Sequence, residues 1–343
     1  MPEEDRTPDA RPRPEASVVI PTRSRWRLLS TAALPAALGQ ERIDVEVIVV
    51  DDGSSDETPA RLAQLAAQEP RLRVLRHEES RGVSRARNAG IGVARGEWIA
   101  FLDDDDLWSP RKLRAQVDAA AAVGAGFAYG AAAWLDEQRR FLRVPRPPRP
   151  EGLATALLRW NVIWAGCSNV IARAALVRRL GGFDERLFQL ADWDLWIRLA
   201  LADRAAACDD VVVGYVMQSE SMLLTDRRAV FPEFDYLVAK HGDAARAHGV
   251  AFDAARFSRW VALGHLRAGR RRRAASTYAR GALRHRDPLS LARAAGALLG
   301  PGSIPAGRVA LRLVRAARAD DVPGATAPAW LERYRRSSST AAE

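Results

Sequence analysis

Residues Trp98-Ile99-Ala100-Phe101-Leu102 form a short apolar run that breaks off into four consecutive carboxylates, Asp103-Asp104-Asp105-Asp106. Adjacent acids repel one another by about 1 kcal/mol per close pair in water, and by more where water is excluded. A strand ending this way must lie where positive charge meets it. Because a strand sends alternate side chains to opposite faces, the spacing predicts Asp103 and Asp105 pointing together into a cleft, with Asp104 turned away. Hard divalent cations such as Mg²⁺ or Mn²⁺ accept this all-oxygen ligation, commonly through one or two carboxylates plus substrate phosphates. The competing reading is a solvated acidic loop ahead of the helix that opens at Ser109-Pro110.

The surrounding pattern favours a built site. From Ala16 onward, short apolar runs alternate with longer amphipathic ones, as in a parallel sheet flanked by helices. Strands are predicted at Ser17–Ile20, Val45–Val50, Arg73–Arg76 and Trp98–Leu102, with a fifth at Phe127–Tyr129. Thr58 before Pro59, Ser84, and Ser109 before Pro110 read as helix starts. The proline-rich stretch Arg143–Glu151 reads as an extended connection into a second half. That half carries a strand-like Ser168–Ile171, a helix near Ala172–Leu180, a helix from Asp192 to Ala202 and a strand at Val211–Val216.

Ligands of open parallel sheets bind at the carboxyl ends of the strands, and three of those ends are chemically loaded. The first is Pro21-Thr22-Arg23-Ser24-Arg25, the second Asp51-Asp52-Gly53-Ser54-Ser55-Asp56, and the third the acidic run. Arg81, Arg85 and Asn88 share one helical face just ahead of the acidic strand, and arginine's planar donor fork suits phosphate. A solvated basic face is the alternative for that spacing. Asp192-Trp193-Asp194-Leu195-Trp196 opens a helix, where acids serve either as caps or as a base beside sugar-stacking indoles.

Six ordered segments resemble the inverting family 2 glycosyltransferases of the GT-A fold. They are Ser17–Thr22, Glu46–Asp56, Arg81–Gly90, Phe101–Pro110, Gly181–Glu185 and Asp192–Trp196, and together they span about residues 16–215. The resemblance implies a nucleotide-diphospho-sugar transferase fold: a Rossmann-like, mostly parallel sheet flanked by helices, with a C-terminal helical extension. It also implies a metal-dependent transfer from a nucleotide-diphosphate sugar to a hydroxyl acceptor, a glycan, lipid-linked intermediate or natural product. By position, Pro21, Thr22, Arg23, Asp52, Arg81, Arg85, Asp103 and Asp104 are the donor contacts. Asp105, with Asp103 as a second candidate, is the ligand for Mg²⁺ or Mn²⁺, and Asp192 is the catalytic base. Trp164, Trp193 and Asp194 are candidates for the acceptor. Ala191 stands where the family often has Glu, and Arg23 and Ser24 replace a commoner aromatic and Asn. A nucleotidyltransferase making the activated sugar is the enzymatic alternative, but no glycine-rich, lysine-containing triphosphate loop follows the first strand. A non-catalytic scaffold binding nucleotide sugar or glycan is the other alternative.

The expected organisation is a disordered tail over 1–15, a transferase domain over 16–225 divided at about 130, and a helical extension over 226–343 whose end is disordered. Two cysteines, Cys167 and Cys208, form neither a metal pattern nor a disulfide framework, which fits a reducing cytoplasm. The net charge of +10 lies largely after residue 255. Arg270–Arg273 and the amphipathic Arg308–Arg315 segment suggest peripheral contact with the inner membrane face. Basic clusters without a recognition motif argue against nucleic acid. No apolar run approaches the roughly 18 residues needed to cross a bilayer.

Overall fold

A computed structural model describes residues 12–217, 230–299 and 321–336. Its centre is one mixed sheet. The parallel part comprises β1 (Ala16–Thr22), β2 (Val45–Asp52), β3 (Leu72–His77) and β4 (Trp98–Phe101). The rest comprises β5 (Leu107–Trp108), β6 (Phe127–Leu135), β7 (Phe141–Arg143), β8 (Ile171–Arg173) and β9 (Ala205–Val216). The order is β3-β2-β1-β4-β8-β6-β9-β5, with β7 on β6. Strands β1–β4 are parallel, whereas β8 is antiparallel to both β4 and β6. Because β2 and β4 flank β1 on opposite sides, the strand order reverses there and a crevice opens at the carboxyl ends of β1 and β4.

The strands read as nearly continuous apolar runs because both faces of the sheet are covered. Val18, Ile20, Val47, Val49 and Ala100 pack on one face, while Val19, Ile48, Val50, Ile99 and Phe101 pack on the other. Helices α1 (Thr58–Ala66), α2 (Val83–Val93), α3 (Lys112–Val123) and α4 (Ala191–Ala202) supply much of that cover. After them come α5 (Val230–Ala247), α6 (Ala254–Arg267), α7 (Arg271–His285) and α8 (Pro288–Leu299).

Several local expectations are corrected. Thr58 is the first helical residue and not the cap; its N–H donates to Asp56 at 3.1 Å. Ser84 lies inside α2, its hydroxyl donating to Leu187 O at 2.7 Å, and the N-cap is Gly82. Ser168 falls in a short helix, Gly166–Asn169, so the strand there starts later, at Ile171. The expected division at residue 226 does not separate two cores: Val230, Phe234 and Leu237 of α5 and Phe257 of α6 share a cluster with Trp193 and Trp196. Likewise Leu331 and Tyr334 join the opposite cluster, where the Tyr334 hydroxyl donates to Trp108 O at 2.9 Å. Of the expected tail, Arg13 and Glu15 are tied down, to Arg95 O and to Asp44 N respectively. Residues 1–11, 308–315 and 337–343 lie outside the described residues.

Candidate functional site at the sheet reversal

The loops after β1 and β2 are laced together. Ser24, at φ 50°, donates its N–H to Ser54 Oγ at 2.7 Å, and Ser55 N donates back to Ser24 Oγ at 3.1 Å. Pro21 and Thr22 are buried beside Val50 and Asp51 of β2, whereas Arg23 is exposed. Gly53, at φ +73°, is held where a side chain would strike the Ser80 backbone.

The acidic run leaves the strand instead of continuing it. Asp106 N donates to Asp103 O at 3.2 Å, closing a turn, so strict strand alternation fails. Asp104 faces β1, where the Thr22 hydroxyl donates to it at 2.8 Å and Arg25 Nη1 approaches to 2.6 Å. The second terminal nitrogen of Arg25 reaches Asp105 at 2.7 Å. Of the arginines in that loop, Arg25 is the one that meets the acids, while Arg23 faces solvent. Asp106 is buried and accepts from Val216 N at 3.2 Å. Burial above all, then the neighbouring carboxylates, raises these acids: Asp104 to about 7, Asp105 in the same direction, and Asp106 well above the usual carboxylate range. The Arg25 charge opposes the rise at Asp104 and Asp105.

Arg87 in α2 meets Asp103 at 2.6 Å and lies over the Phe183 ring at 5.2 Å. The 81/85/88 grouping missed it because the inward stripe of α2 runs through Ser84, Arg87 and Ile91. Arg85, with its side chain 54% exposed, pairs with Glu185 at 2.9 Å and not with the acidic run. Asn88 clamps Phe183 through both its backbone N–H and its carbonyl. The Asp52 carboxylate accepts from His77 Nδ1, the Ser80 hydroxyl and the backbone N–H groups of Arg81 and Gly82, all within 2.7–2.9 Å. A nucleobase imide would have to compete with those donors. Arg81 itself is exposed at the mouth of this turn.

Across the crevice, Asp192 stands at the start of α4. One oxygen accepts from Trp193 N at 2.7 Å, and the other faces Asn161 Nδ2 at 3.5 Å and the bare Cα of Gly166. Burial raises Asp192 to about 6; the Arg87 charge pulls it down and Asp103 pushes it up, so the three groups share one electrostatic field. The other two members of that motif are corrected. Trp193 is buried among Trp160, Phe234 and Phe252, and its indole N–H donates to Leu157 O. Asp194 is fully buried and binds Arg198, Lys240 and His241, tying α4 to α5. Trp164 remains half-buried, edge-on to Trp134 at 5.5 Å. Tyr215 stands 6.3 Å from Trp134, and burial together with the acidic turn raises its hydroxyl.

Asp103 and Asp105 keep the most water contact within the acidic turn, with side chains 35% and 18% exposed. Among the described residues no group of three or more acids, histidines or cysteines forms a protein cage. The donor set therefore fits an ion held by one or two carboxylates and completed by substrate oxygens, the usual manner of Mg²⁺.

The sheet order, the crevice and the acidic turn together define a GT-A fold. Residues 17–181 match the model of glycosyl transferase family 2, and over that span the chain carries a domain of this family. The succinoglycan biosynthesis protein ExoO of Rhizobium meliloti (strain 1021) is 51% identical over 96 residues, 28% of this chain and 27% of that protein. The UDP-Glc:alpha-D-GlcNAc-diphosphoundecaprenol beta-1,3-glucosyltransferase WfgD of Escherichia coli is 34% identical over 114 residues, 33% of this chain and 44% of that one. The matches thus span less than half the length of these relatives. Among solved structures, S. aureus TarS 1-349 in complex with UDP-GlcNAc shares 18% identity at a TM-score of 0.53, over 96% of this chain and 91% of that chain. Mannosyltransferase PcManGT from Pyrobaculum calidifontis, in complex with GDP-Man and Mn²⁺, shares 21% identity at a TM-score of 0.50, over 98% and 89%. At these identities the likeness is one of fold.

Proposed function

We propose that the chain transfers a sugar from a nucleoside-diphosphate donor to an acceptor hydroxyl in one displacement that inverts the anomeric carbon. The observation that carries this reading is Arg87, which holds Asp103 at 2.6 Å while its charge acts on Asp192 across the crevice. Donor-side acids and a candidate base thereby flank one space. The Pro21–Arg25 loop and Arg81 receive the nucleotide. Asp105, with Asp103, holds Mg²⁺ or Mn²⁺, and a divalent ion supplies charge neutralisation for a departing diphosphate. Asp192, at about 6, is ionised at neutral pH yet basic enough to take the acceptor's proton as the hydroxyl attacks. Trp164, two residues before the glycine that abuts Asp192, offers an apolar face for an acceptor ring.

The names of the relatives support a nucleotide-sugar donor and a polysaccharide or lipid-diphosphate-linked acceptor. Calorimetric titration of UDP, GDP, dTDP and CDP, with Mn²⁺ and then with EDTA, tests the reading. Tight binding of one nucleotide, lost in EDTA, is expected and names the donor class. Absence of binding for all four sinks it.

A further inference from the structure

Helices α6–α8, residues 254–299, contain eleven arginines, no lysine and a single acid, Asp287. The formal net charge of the whole chain is +10, so this unit alone accounts for it and the remaining sequence is balanced. Asp287 is itself neutralised by Arg259 at 2.8 Å, with Arg293 at 3.9 Å. The exposed face of α7 carries Arg272, Arg273, Arg280 and Arg284. Their field reaches inward: after burial, Arg273, Arg270 and Arg280 hold His265 below its ordinary value.

The adjoining helix has the opposite character. Ser290 and Ala297 form the buried side of α8, and its one charged residue, Arg293, turns to Asp287. The outward side is Leu291, Ala292, Ala295, Leu298 and Leu299, all exposed and all apolar, with Leu298 58% and Leu299 68% accessible. Leu283, at the end of α7, is 76% accessible among the arginines. An apolar helix face beside a dense cationic face is the composition of an interfacial membrane element. A second copy of the chain would cover the leucines only by bringing two such arginine fields together. An anionic bilayer meets both demands at once, and no described helix is long and apolar enough to cross one, so the contact is peripheral.

We infer that α7 and α8 dock the protein on an anionic lipid surface, the α8 leucines entering the interface while the α7 arginines meet the headgroups. This inference does not depend on the transferase reading and is tested without turnover. The full chain is sedimented with vesicles of phosphatidylcholine alone or of equimolar phosphatidylcholine and phosphatidylglycerol, at low and high salt. Binding is expected only to the anionic vesicles and is expected to weaken with salt. Arg272→Glu with Arg280→Glu should weaken it at least about 25-fold. Leu291→Gln with Leu298→Gln should weaken it about tenfold or more at an unchanged melting temperature. Equal binding to neutral vesicles, no binding to anionic ones, or unchanged affinity in either pair would overturn the inference. A concentration-dependent dimer that the glutamine pair dissolves, with vesicle binding intact, would overturn it as well.

Discussion

Arg87 donates to Asp103 across 2.6 Å from inside α2, with only 6% of its side chain exposed, so the first acid of the turn is anchored from beneath the sheet crevice. The pair couples two motifs sixteen residues apart in sequence. It also sets the charge that Asp192 experiences from its own side of the site.

Removing the guanidinium therefore has two readouts. Arg87→Ala should cost on the order of 2 kcal/mol of stability, less than a fully buried pair, because Asp103 keeps contact with water. It should also move the rate. Arg87 lowers Asp192, so without it Asp192 titrates above about 6 and the acid limb of the pH–rate profile shifts to higher pH. A variant that is only less stable, with an unmoved limb, would separate Arg87 from the base.

Asp192 and Asp194 lie two residues apart, and their substitutions should behave in opposite ways. Asp192→Asn should lower kcat by about 10²–10⁴-fold with nucleotide affinity nearly unchanged. In the wild type, activity should rise through a midpoint near pH 6, where the raised Asp192 loses its proton. Asp194→Ala should instead cost about 3–5 kcal/mol by leaving Arg198, Lys240 and His241 without their carboxylate, while kcat per folded molecule stays close to wild type. Asp194 is held below the usual carboxylate range despite its burial, chiefly by His241 and Arg198. Its contribution is therefore present above the unfolded-state pKa and is lost as pH falls through the lower folded value. Thermal melts at neutral and acid pH, paired with kinetics, check both substitutions.

Much of this site was legible in the residues. The strand-end rule put Thr22 and the acidic run at the carboxyl ends of β1 and β4, where the structure has them, because parallel strands read as short apolar blocks; Asp192, at the start of a helix, came only with the resemblance. What failed was local geometry. Alternation predicted Asp104 facing away, but a turn at Asp103–Asp106 ends the strand early and delivers Asp104 to Thr22 and Arg25. Spacing alone could not choose between the 81/85/88 and 84/87/91 stripes of α2, since only the packing partner Phe183 decides which one faces inward. Trp193 looked like a sugar platform, yet its indole fills the joint between α4 and α5, whose sequence lies forty residues on. Ala165, at φ 64° directly before Gly166, carried no sequence signal at all, although that turn shapes the wall beside Asp192.

Asp105→Ala should abolish the portion of nucleotide affinity that Mn²⁺ adds and leave the affinity measured in EDTA unchanged. The substitution should spare the fold, because removing one of several mutually repelling acids relieves Asp104 and Asp106. Calorimetry in the two buffers reads this directly, and an intact Mn²⁺ increment would move the metal assignment away from Asp105.

Lys112 gives a prediction remote from the site. It is fully buried at the start of α3, its ammonium 4.1 Å from the Trp108 ring and 2.6 Å from Gln116 Oε1, and burial lowers it to about 7. In the unfolded chain the same amine titrates near 10.4. Between those two values the unfolded state binds the extra proton, so this residue makes stability rise as pH increases from 7 toward 10. Lys112→Met keeps the chain length, removes the charge and should flatten that rise, leaving the variant more stable than wild type near neutrality and converging with it at alkaline pH. Denaturant midpoints across pH 7–10 measure the difference. A wild-type slope that the methionine variant reproduces would mean that Lys112 is not the group responsible.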